Sequence, residues 1–399
     1  MARTIPTTKF VRFTTLIFGA IFIAASCALA QAPANSANLD GLLLQAVDSG
    51  DRTSVVRLLD KGANIEAARE DGETPLIIAA GNHDAAMVKI LLERGASIHA
   101  QDQSGETALV KVAHSPNPEI AKMLLDRTPT IAEKNQALLA AAQGGPLVIN
   151  INDAVGVGKY DETEATSDKV NAPYAEVVKL LLEAGAEIEA KDEGGNTPLM
   201  NAASHGATLV VKLLLARGAD INASDPDGGT ALMAAACACG EIDKPDTKAA
   251  LKLLLDREAA LEAKDKDGNT ALMAAATSGH SDLVELLLHY GADINATDRD
   301  GNTALMLAAE GSAIPTAATV KTLLEHGAVV NAKNKTGQTA LMLAASGRGF
   351  DPEAMLELLL RWGADPDIKD VHGNTALAIA ARSRRADAVR ILKNATAKH

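Results

Sequence analysis

The stretch DGNTALMAAATSGHSDLVELLLHYGADINATD, residues 267–298, contains a complete turn–helix–turn–helix pattern. Gly268 is predicted to lie in a tight turn, because a residue without a Cβ atom tolerates positive φ. Thr270 follows as the N-cap of a short alanine-rich helix. Ser281 can cap a second helix with a broad apolar face, which Gly291 ends. Because two short helices cannot bury that face alone, the unit must stack on copies of itself.

Copies of this unit recur along the chain, each marked by a threonine, then a small residue or proline, then leucine. Several successive threonines are 33 residues apart, as from Thr74 to Thr107. A repeat of that length with a turn and two helices is the signature of a solenoid. The marker threonines are Thr74, Thr107, Thr197, Thr230, Thr270, Thr303, Thr339 and Thr375.

This pattern resembles the ankyrin-repeat family, whose motif is D-x-x-G-x-T-P-L-H-x-A-A, followed by G-H, a Val/Leu run and G-A-D. The chain has TPL at Thr74–Leu76 and Thr197–Leu199, and TAL in most other copies. The resemblance implies an all-α repeat solenoid of about ten repeats, each a helix–turn–helix unit followed by a β-hairpin turn. It implies a scaffold that binds other proteins. Because the repeats use nearly the whole chain, no room is left for a catalytic domain, and we expect no enzyme.

The first 30 residues are predicted to be a secretory signal peptide. They combine a basic start, an apolar core over residues 13–25 and a small-x-small site, Ala28-Leu29-Ala30, before Gln31. The apolar core is too short to span a membrane. The alanine-rich style suggests bacterial export, with the periplasm as the expected location and secretion as the alternative. Cleavage after Ala30 is favoured over lipidation at Cys27, which lacks the leucine usual three residues earlier.

The charge balance bears on the partners. The chain carries a formal net charge of −13, and its basic residues form no continuous stripe. An acidic solenoid of this kind is a poor ligand for nucleic acid or for an anionic membrane surface. No run of 18 apolar residues follows the signal peptide, so we expect no membrane span. We expect a monomer whose partner is another protein.

The repeats are predicted to cover residues 39–397, after a small-residue linker over residues 31–38. The first repeat has Gly41 at the threonine position, which makes it atypical and suggests an end cap. Repeat four has Gln136 at that position. It also carries a long insertion at about residues 146–173, between its two helices. Shorter insertions near residues 239–247, 312–316 and 348–351 occupy the same place, so all four should project from one edge.

The long insertion has two readings that the sequence leaves equally open. It is either a disordered segment without function or an arm that binds a partner, with Tyr160 as an exposed aromatic anchor. The stretch KYDETEATSDK, residues 159–169, is acidic and expected to be mobile. An active site hidden in the insertion would need a His or Cys nucleophile or a metal cluster, and the segment contains neither residue.

A methionine replaces the histidine of the family's T-P-L-H motif in five repeats. In the family that histidine ties neighbouring repeats by hydrogen bonds, so packing must replace the tie here. A line of thioethers could attract Cu(I), but these positions should be buried between repeats, and we expect no metal and no cofactor. The methionines are Met200, Met233, Met273, Met306 and Met342.

The two cysteines that follow the signal peptide, Cys237 and Cys239, are two residues apart on a predicted helix end. Side chains with that spacing diverge on a helix, so ordinary packing roles are favoured over a strained, labile disulfide.

The last predicted repeat is basic although the chain is acidic. Two readings stay open for this end: a polar cap that solubilises the outer face, or a docking site for an acidic partner. The residues are Arg382, Arg384, Arg385, Arg390, Lys393 and Lys398.

The resemblance also implies where a partner binds, since family members mostly use the hairpin tips and the exposed ends of the first helices, on the concave side. The tips offer Glu193, Asn196, Asp227, Asp267, Asn269, Arg299, Asp300, Asn302, Lys335 and Gln338. The helix ends offer Ser204, His205, Cys237, Thr277, Ser278 and Glu310. The sequence therefore predicts a protein-binding scaffold in the bacterial envelope. The alternatives are a secreted effector of the same fold or, less favoured, a metal-binding protein.

Overall fold

The structure is a computed structural model that describes residues 36–144, 164–237, 245–311, 317–347 and 352–397. These residues contain twenty helices in ten consecutive pairs, which matches the ten repeats predicted. The helices divide into two compact units, the first ending at Gln103 and the second beginning at Ser104.

The first unit holds two repeats. Its first helices, α1 and α3, contact each other, and so do its second helices, α2 and α4. The helices are α1 (Ser36–Asp48), α2 (Arg52–Asp60), α3 (Pro75–Gly81) and α4 (Ala85–Glu93).

The second unit holds eight repeats, in which each helix contacts the equivalent helix of the next repeat. Repeats three to six contain α5 (Ala108–His114), α6 (Pro118–Leu125), α7 (Ile131–Ala142), α8 (Glu164–Glu183), α9 (Pro198–Ser204), α10 (Thr208–Ala216), α11 (Ala231–Cys237) and α12 (Pro245–Asp256). Repeats seven to ten contain α13 (Ala271–Thr277), α14 (Ser281–His289), α15 (Ala304–Glu310), α16 (Ala317–Glu325), α17 (Ala340–Ser346), α18 (Pro352–Arg361), α19 (Ala376–Arg382) and α20 (Ala386–Thr396).

The marker threonines cap the first helices as predicted. The Thr270 hydroxyl accepts a hydrogen bond from the backbone N–H of Met273 at 3.4 Å, and the other seven form the same contact. This bond satisfies one of the backbone donors that a helix start leaves without an intrahelical acceptor.

The tip glycine has two reasons to be glycine. Gly268 has φ of +86°, a left-handed conformation that favours a residue without Cβ. A Cβ atom there would also lie 2.8 Å from the backbone nitrogen of Arg299 in the next repeat. The close approach of successive tips therefore depends on this residue.

The core between repeats is aliphatic. The five methionines that replace the family histidine are at most 8 % exposed, as predicted. One of them keeps a polar role, because the Met200 sulfur accepts a hydrogen bond from the backbone N–H of Thr197 at 3.4 Å.

The loops that follow the second helices supply a tie between repeats that the methionines cannot. In each case a backbone N–H of one repeat donates to a side-chain oxygen in the loop of the repeat before it. Val329, for example, donates to the Asn295 side chain at 3.1 Å. We call this series the loop ladder. Its other members in the second unit are Asp220 to Glu189, Ala260 to Asn222, Asp293 to Glu262 and Asp365 to Asn331.

Helix starts differ from the prediction in the first and fourth repeats. Helix α1 begins at Ser36, inside the predicted linker, and runs through Gly41. In repeat four, Gln136 is not a cap, because Thr130 starts α7 with a reciprocal capping box to Glu133. The prediction at Gln136 was wrong because it counted from the neighbouring repeats and overlooked the T-x-x-E signal.

Two further predictions need correction. The N-cap of α14 is His280, without a side-chain hydrogen bond, and Ser281 is the first helical residue. Helix α8 already begins at Glu164, so residues 164–169 of the segment expected to be mobile are helical. The remainder of that segment, with Tyr160, lies outside the described residues.

Part of the predicted long insertion is helical, because its residues 164–173 belong to α8. Helix α7 ends at Ala142 and α8 begins at Glu164, and the three shorter insertions fall between α11 and α12, α15 and α16, and α17 and α18. The described residues contain no β-strand, and the hairpin turns contribute one isolated antiparallel bridge, between Ser224 and Thr230. No described helix is both long and apolar enough to cross a membrane.

Candidate functional site

Several hairpin tips are each built on one carboxylate, and the tip of repeat nine is built on the amide oxygen of Asn334. At the tip of repeat seven, Asp265 accepts hydrogen bonds from the backbone N–H groups of Asp267 and Asn269, at 2.9 and 2.7 Å. It also accepts one from the Asn269 side-chain amide at 2.9 Å. The carboxylate thereby closes the turn on both sides of Gly268.

The same arrangement recurs at Asp298 and Asp370. The Asn374 side-chain amide, which donates to Asp370, lowers the pKa of that carboxyl below its usual value. Partial burial opposes the shift, and the backbone N–H groups of Asn374 and His372 add to it. The charged form of the carboxylate is therefore the form that holds the tip.

Successive tips are joined by backbone hydrogen bonds, which we call the tip ladder. The N–H of Arg299 donates to the carbonyl of Asp267 at 2.7 Å, and the N–H of Lys335 donates to that of Asp300 at 2.9 Å. Equivalent bonds run from Lys266 to Asp227 and from Val371 to Thr336. The backbone of the tips is thus fixed from repeat six to repeat ten.

The predicted tip residues fall into two groups. One group is exposed and directed away from the ladder: Glu193, Asp227, Asp267, Arg299, Asp300 and Lys335. The other group is half-buried in the turns themselves: Asn196, Asn269, Asn302 and Gln338. Asn302 accepts from the Asn334 amide at 2.8 Å while donating to Asp298, so it joins two repeats. These amides build the surface and are poorly placed to contact a partner.

The exposed row carries charges of both signs. Lys266, which the sequence prediction omitted, lies beside Asp227 of the preceding repeat, with 3.2 Å between Nζ and the carboxylate. Cations at 266, 299 and 335 stand one position before the tip residues Asp267, Asp300 and Thr336. The row therefore offers both signs of charge at a regular spacing.

A comparison with family models assigns this architecture. The model described as ankyrin repeats (three copies) matches residues 43–148, 167–244, 225–298, 242–334, 296–370 and 314–399. The chain belongs to the ankyrin-repeat family. A search among curated proteins found no match. Ankyrin repeats are generally protein-interaction scaffolds and are typically not enzymes.

In these ankyrin repeats the first helix begins at the tip, and the predicted helix-end residues lie at its other end. Thr277 is exposed, although its hydroxyl donates to the Met273 carbonyl at 2.9 Å. His205 is exposed and Ser204 half-buried, and both lie within hydrogen-bonding distance of the Asn201 carbonyl. Glu310 is half-buried. The exposed part of this predicted set is therefore small.

Ser278 is half-buried, and its hydroxyl lies 3.7 Å from the Cys237 sulfur in the preceding ankyrin repeat. Cys237 ends α11, and its predicted neighbour Cys239 lies outside the described residues.

An apolar strip accompanies the helix ends and was missed at the sequence level. It consists of Ala234, Ala274 and Leu307, one helical turn before the Thr277 position of their repeats, where repeat five has the polar Asn201. Asn201 is buried and the other three are half-buried. The sequence signal for this strip is the residue that follows the marker leucine and the methionine. That residue varies from repeat to repeat, whereas its neighbours are repeated.

Two open grooves lie elsewhere on the ankyrin repeats, among the second helices and the loops after them. The larger, of about 820 Å³, is lined by residues such as Leu360, Asp367 and Ile391, and the smaller, of about 460 Å³, by Lys248, His289 and His326. Neither includes a tip residue or a first-helix end. Among the described residues, no three His, Cys, Asp or Glu side chains are grouped to hold a metal ion.

Proposed function

We propose that this ankyrin-repeat protein binds a partner protein in the bacterial envelope through the tips and the first-helix ends of repeats five to ten. The observation that supports it is the tip ladder. Because the ladder uses backbone groups, it orders the backbone of residues such as Lys266, Asp267 and Asp300 and leaves their side chains exposed. A backbone that is already ordered loses little entropy when a partner binds.

Charges of both signs at regular spacing favour a partner with complementary charges, which sets orientation and specificity more than affinity. The half-buried strip of Ala234, Ala274 and Leu307 beside the tips offers the apolar area that such contacts lack. We propose the periplasm as the location, on the basis of the N-terminal signal pattern, with secretion into the medium as the alternative.

The experiment is affinity capture from a periplasmic extract, with tagged protein beginning at Gln31, followed by mass spectrometry. The variant Asp267→Lys/Asp300→Lys reverses two exposed carboxylates without touching the backbone bonds of the tip ladder. We expect it to lower the captured partner at least about threefold.

The matched control is Glu285→Lys/Glu357→Lys, which makes the same change in net charge at exposed positions on α14 and α18. An equal loss in both variants would show a general charge effect. Unchanged capture by the tip variant would move the binding site away from the tips, to the insertions or the other face.

A further inference from the structure

The turn between α19 and α20 carries arginines that the repeat pattern does not require. Arg382 and Arg384 are exposed. At the position of Arg382, seven of the other nine repeats have Gly81, His114, Ser204, Cys237, Thr277, Glu310 and Ser346. At the position of Arg384 they have Gly50, His83, Gly206 and Gly279. Among the described residues at these two positions, no other is an arginine or lysine; Arg348, nine residues after Thr339, lies outside the described residues.

The backbone of Arg384 lies in a region that suits glycine. Its φ is +58°, whereas Gly50, Gly206 and Gly279 at the same position have φ of +70°, +69° and +75°. A side chain with a Cβ atom is less favourable there, as it also is at His83. Non-glycine residues kept in such a conformation are enriched at functional positions.

The third arginine of the turn, Arg385, holds it in place. Its guanidinium donates to the Gly347 carbonyl and to the Glu353 carboxylate, each at 3.0 Å, and so ties repeat ten to repeat nine. Within the described part of the chain, Arg382 and Arg384 make no side-chain hydrogen bond or ion pair. One arginine therefore fixes the turn while the other two extend into solvent.

The surroundings of the turn are basic as well. Arg390 and Lys393 are exposed on α20, and the one carboxylate of residues 376–397, Asp387, lies 3.1 Å from the Arg390 guanidinium. The chain as a whole carries a net charge of −13. A local positive region on an acidic protein attracts acidic groups.

The turn is continuous with the proposed binding surface, because Arg382 occupies the first-helix position that Thr277 occupies in repeat seven. We propose that Arg382 and Arg384 dock an acidic segment of the partner protein, through paired guanidinium–carboxylate hydrogen bonds. This inference rests on the proposed function and deepens it. It states that the partner carries an acidic segment and that this segment binds at repeat ten.

The first test measures fluorescence anisotropy of a short fluorescein-labelled oligoglutamate peptide with the full chain at low salt. We expect binding that Arg382→Glu/Arg384→Glu weakens at least about fivefold. The control Lys212→Glu/Lys252→Glu makes the same charge change at exposed positions on α10 and α12 and should bind as the parent does. Absence of peptide binding, or an equal loss in both variants, overturns the proposal.

A second variant separates binding from folding. Arg384→Gly should raise Tm, because glycine suits the left-handed backbone, and should weaken peptide binding about twofold to fivefold. A higher Tm with unchanged binding would show that Arg384 takes no part in docking. A labelled oligodeoxynucleotide that binds more tightly than the peptide would contradict an acidic protein segment as the ligand.

Affinity capture from the periplasmic extract tests this inference separately from the proposed function on which it rests. If a partner is captured and Arg382→Glu/Arg384→Glu leaves its capture unchanged, the docking role fails while the scaffold function stands. If no partner is captured by the parent protein, the proposed function itself fails.

Discussion

Single polar side chains set the start of each first helix. Thr270 is 2 % exposed, and its hydroxyl replaces the missing acceptor for the N–H of Met273. Removing a buried N-cap leaves that donor without a partner, in a place that water reaches poorly.

Thr270→Ala should lower the free energy of unfolding by about 1 kcal/mol, as measured by urea denaturation. The matched control is Thr297→Ala, since Thr297 is exposed and its side chain caps no helix. An equal, small effect of both changes would show that the cap contributes little.

The buried phenol of Tyr174 predicts that the stability of the fold decreases at alkaline pH. The Tyr174 hydroxyl donates to the His114 carbonyl at 3.0 Å, and burial raises the pKa of this phenol above its usual value of about 10. The folded state therefore binds more protons than the unfolded state near that pH. Stability is full below pH of about 10 and falls as the pH rises through the folded-state pKa.

Tyr174→Phe should cost about 1 kcal/mol at neutral pH, because the His114 carbonyl loses its donor. The gap from the parent should narrow above pH of about 10. Tyr290, whose pKa is raised by its hydrogen bond to Asp256 and by desolvation, is present in both proteins and cancels in the comparison. A gap that stays constant with pH would contradict burial of an ionisable phenol.

At the residue scale, periodicity made some roles predictable and hid others. Thr270 and Gly268 could be assigned from the sequence because a cap and a positive φ each demand a particular chemistry. Asn269 was expected at the partner interface because an amide on a tip looks like free surface. Its partner, Asp265, is four residues away, and only the folded turn shows that the two bond each other.

At the scale of elements, the loop ladder joins one repeat to the next through side-chain acceptors. Asn295 accepts the N–H of Val329, while Glu262 does the same for Asp293 with a carboxylate. The position therefore needs a side-chain oxygen that accepts the hydrogen bond, which either an amide or a carboxylate supplies. In the first repeat, the corresponding N–H belongs to Asn64, and it donates to the Asp40 carboxylate of the same repeat at 2.7 Å.

Asn295→Ala should destabilise the protein by about 1 kcal/mol, and Asn295→Asp should retain most of the parent stability because its carboxylate can still accept. Thermal unfolding followed by circular dichroism would compare the two. Equal losses from both substitutions would show that Asn295 acts by something other than its acceptor oxygen.

Helix boundaries could be predicted only where the repeat is regular. Helix α13 has the expected cap and length, whereas α7 starts at the Thr130–Glu133 capping box, six residues before the position that repeat counting gives. The local capping signal, and not the repeat period, therefore sets the start of this helix. The start of the long α8 was also missed, because the insertion was expected to extend to residue 173 and the structure places Pro173 within the helix.

At the scale of the whole molecule, most helix contacts within each compact unit join neighbouring repeats. Stability in such arrays is a sum of repeat terms and nearest-neighbour terms. The fold class could therefore be predicted from one unit and its period. Export stays a prediction, because it depends on residues 1–30, which lie outside the described residues.

Intact-mass spectrometry of protein purified from a bacterial periplasm tests the export prediction. We expect a chain that begins at Gln31, after cleavage at Ala30. A chain that begins at an acylated Cys27 would indicate membrane anchoring by lipid instead. Protein found in the culture medium, with the same start, would favour the secreted alternative.

The tip ladder also bears on how new specificities can arise. Its bonds run between backbone groups, so the ladder does not depend on the side chains at 266, 267, 299, 300 and 335, although Lys266 makes an exposed ion pair with Asp227. Mutations there change recognition at little cost to the scaffold, and selection can explore them independently in each repeat. A combinatorial library randomised at these five codons should consist mostly of folded molecules, from which binders to unrelated targets could be drawn.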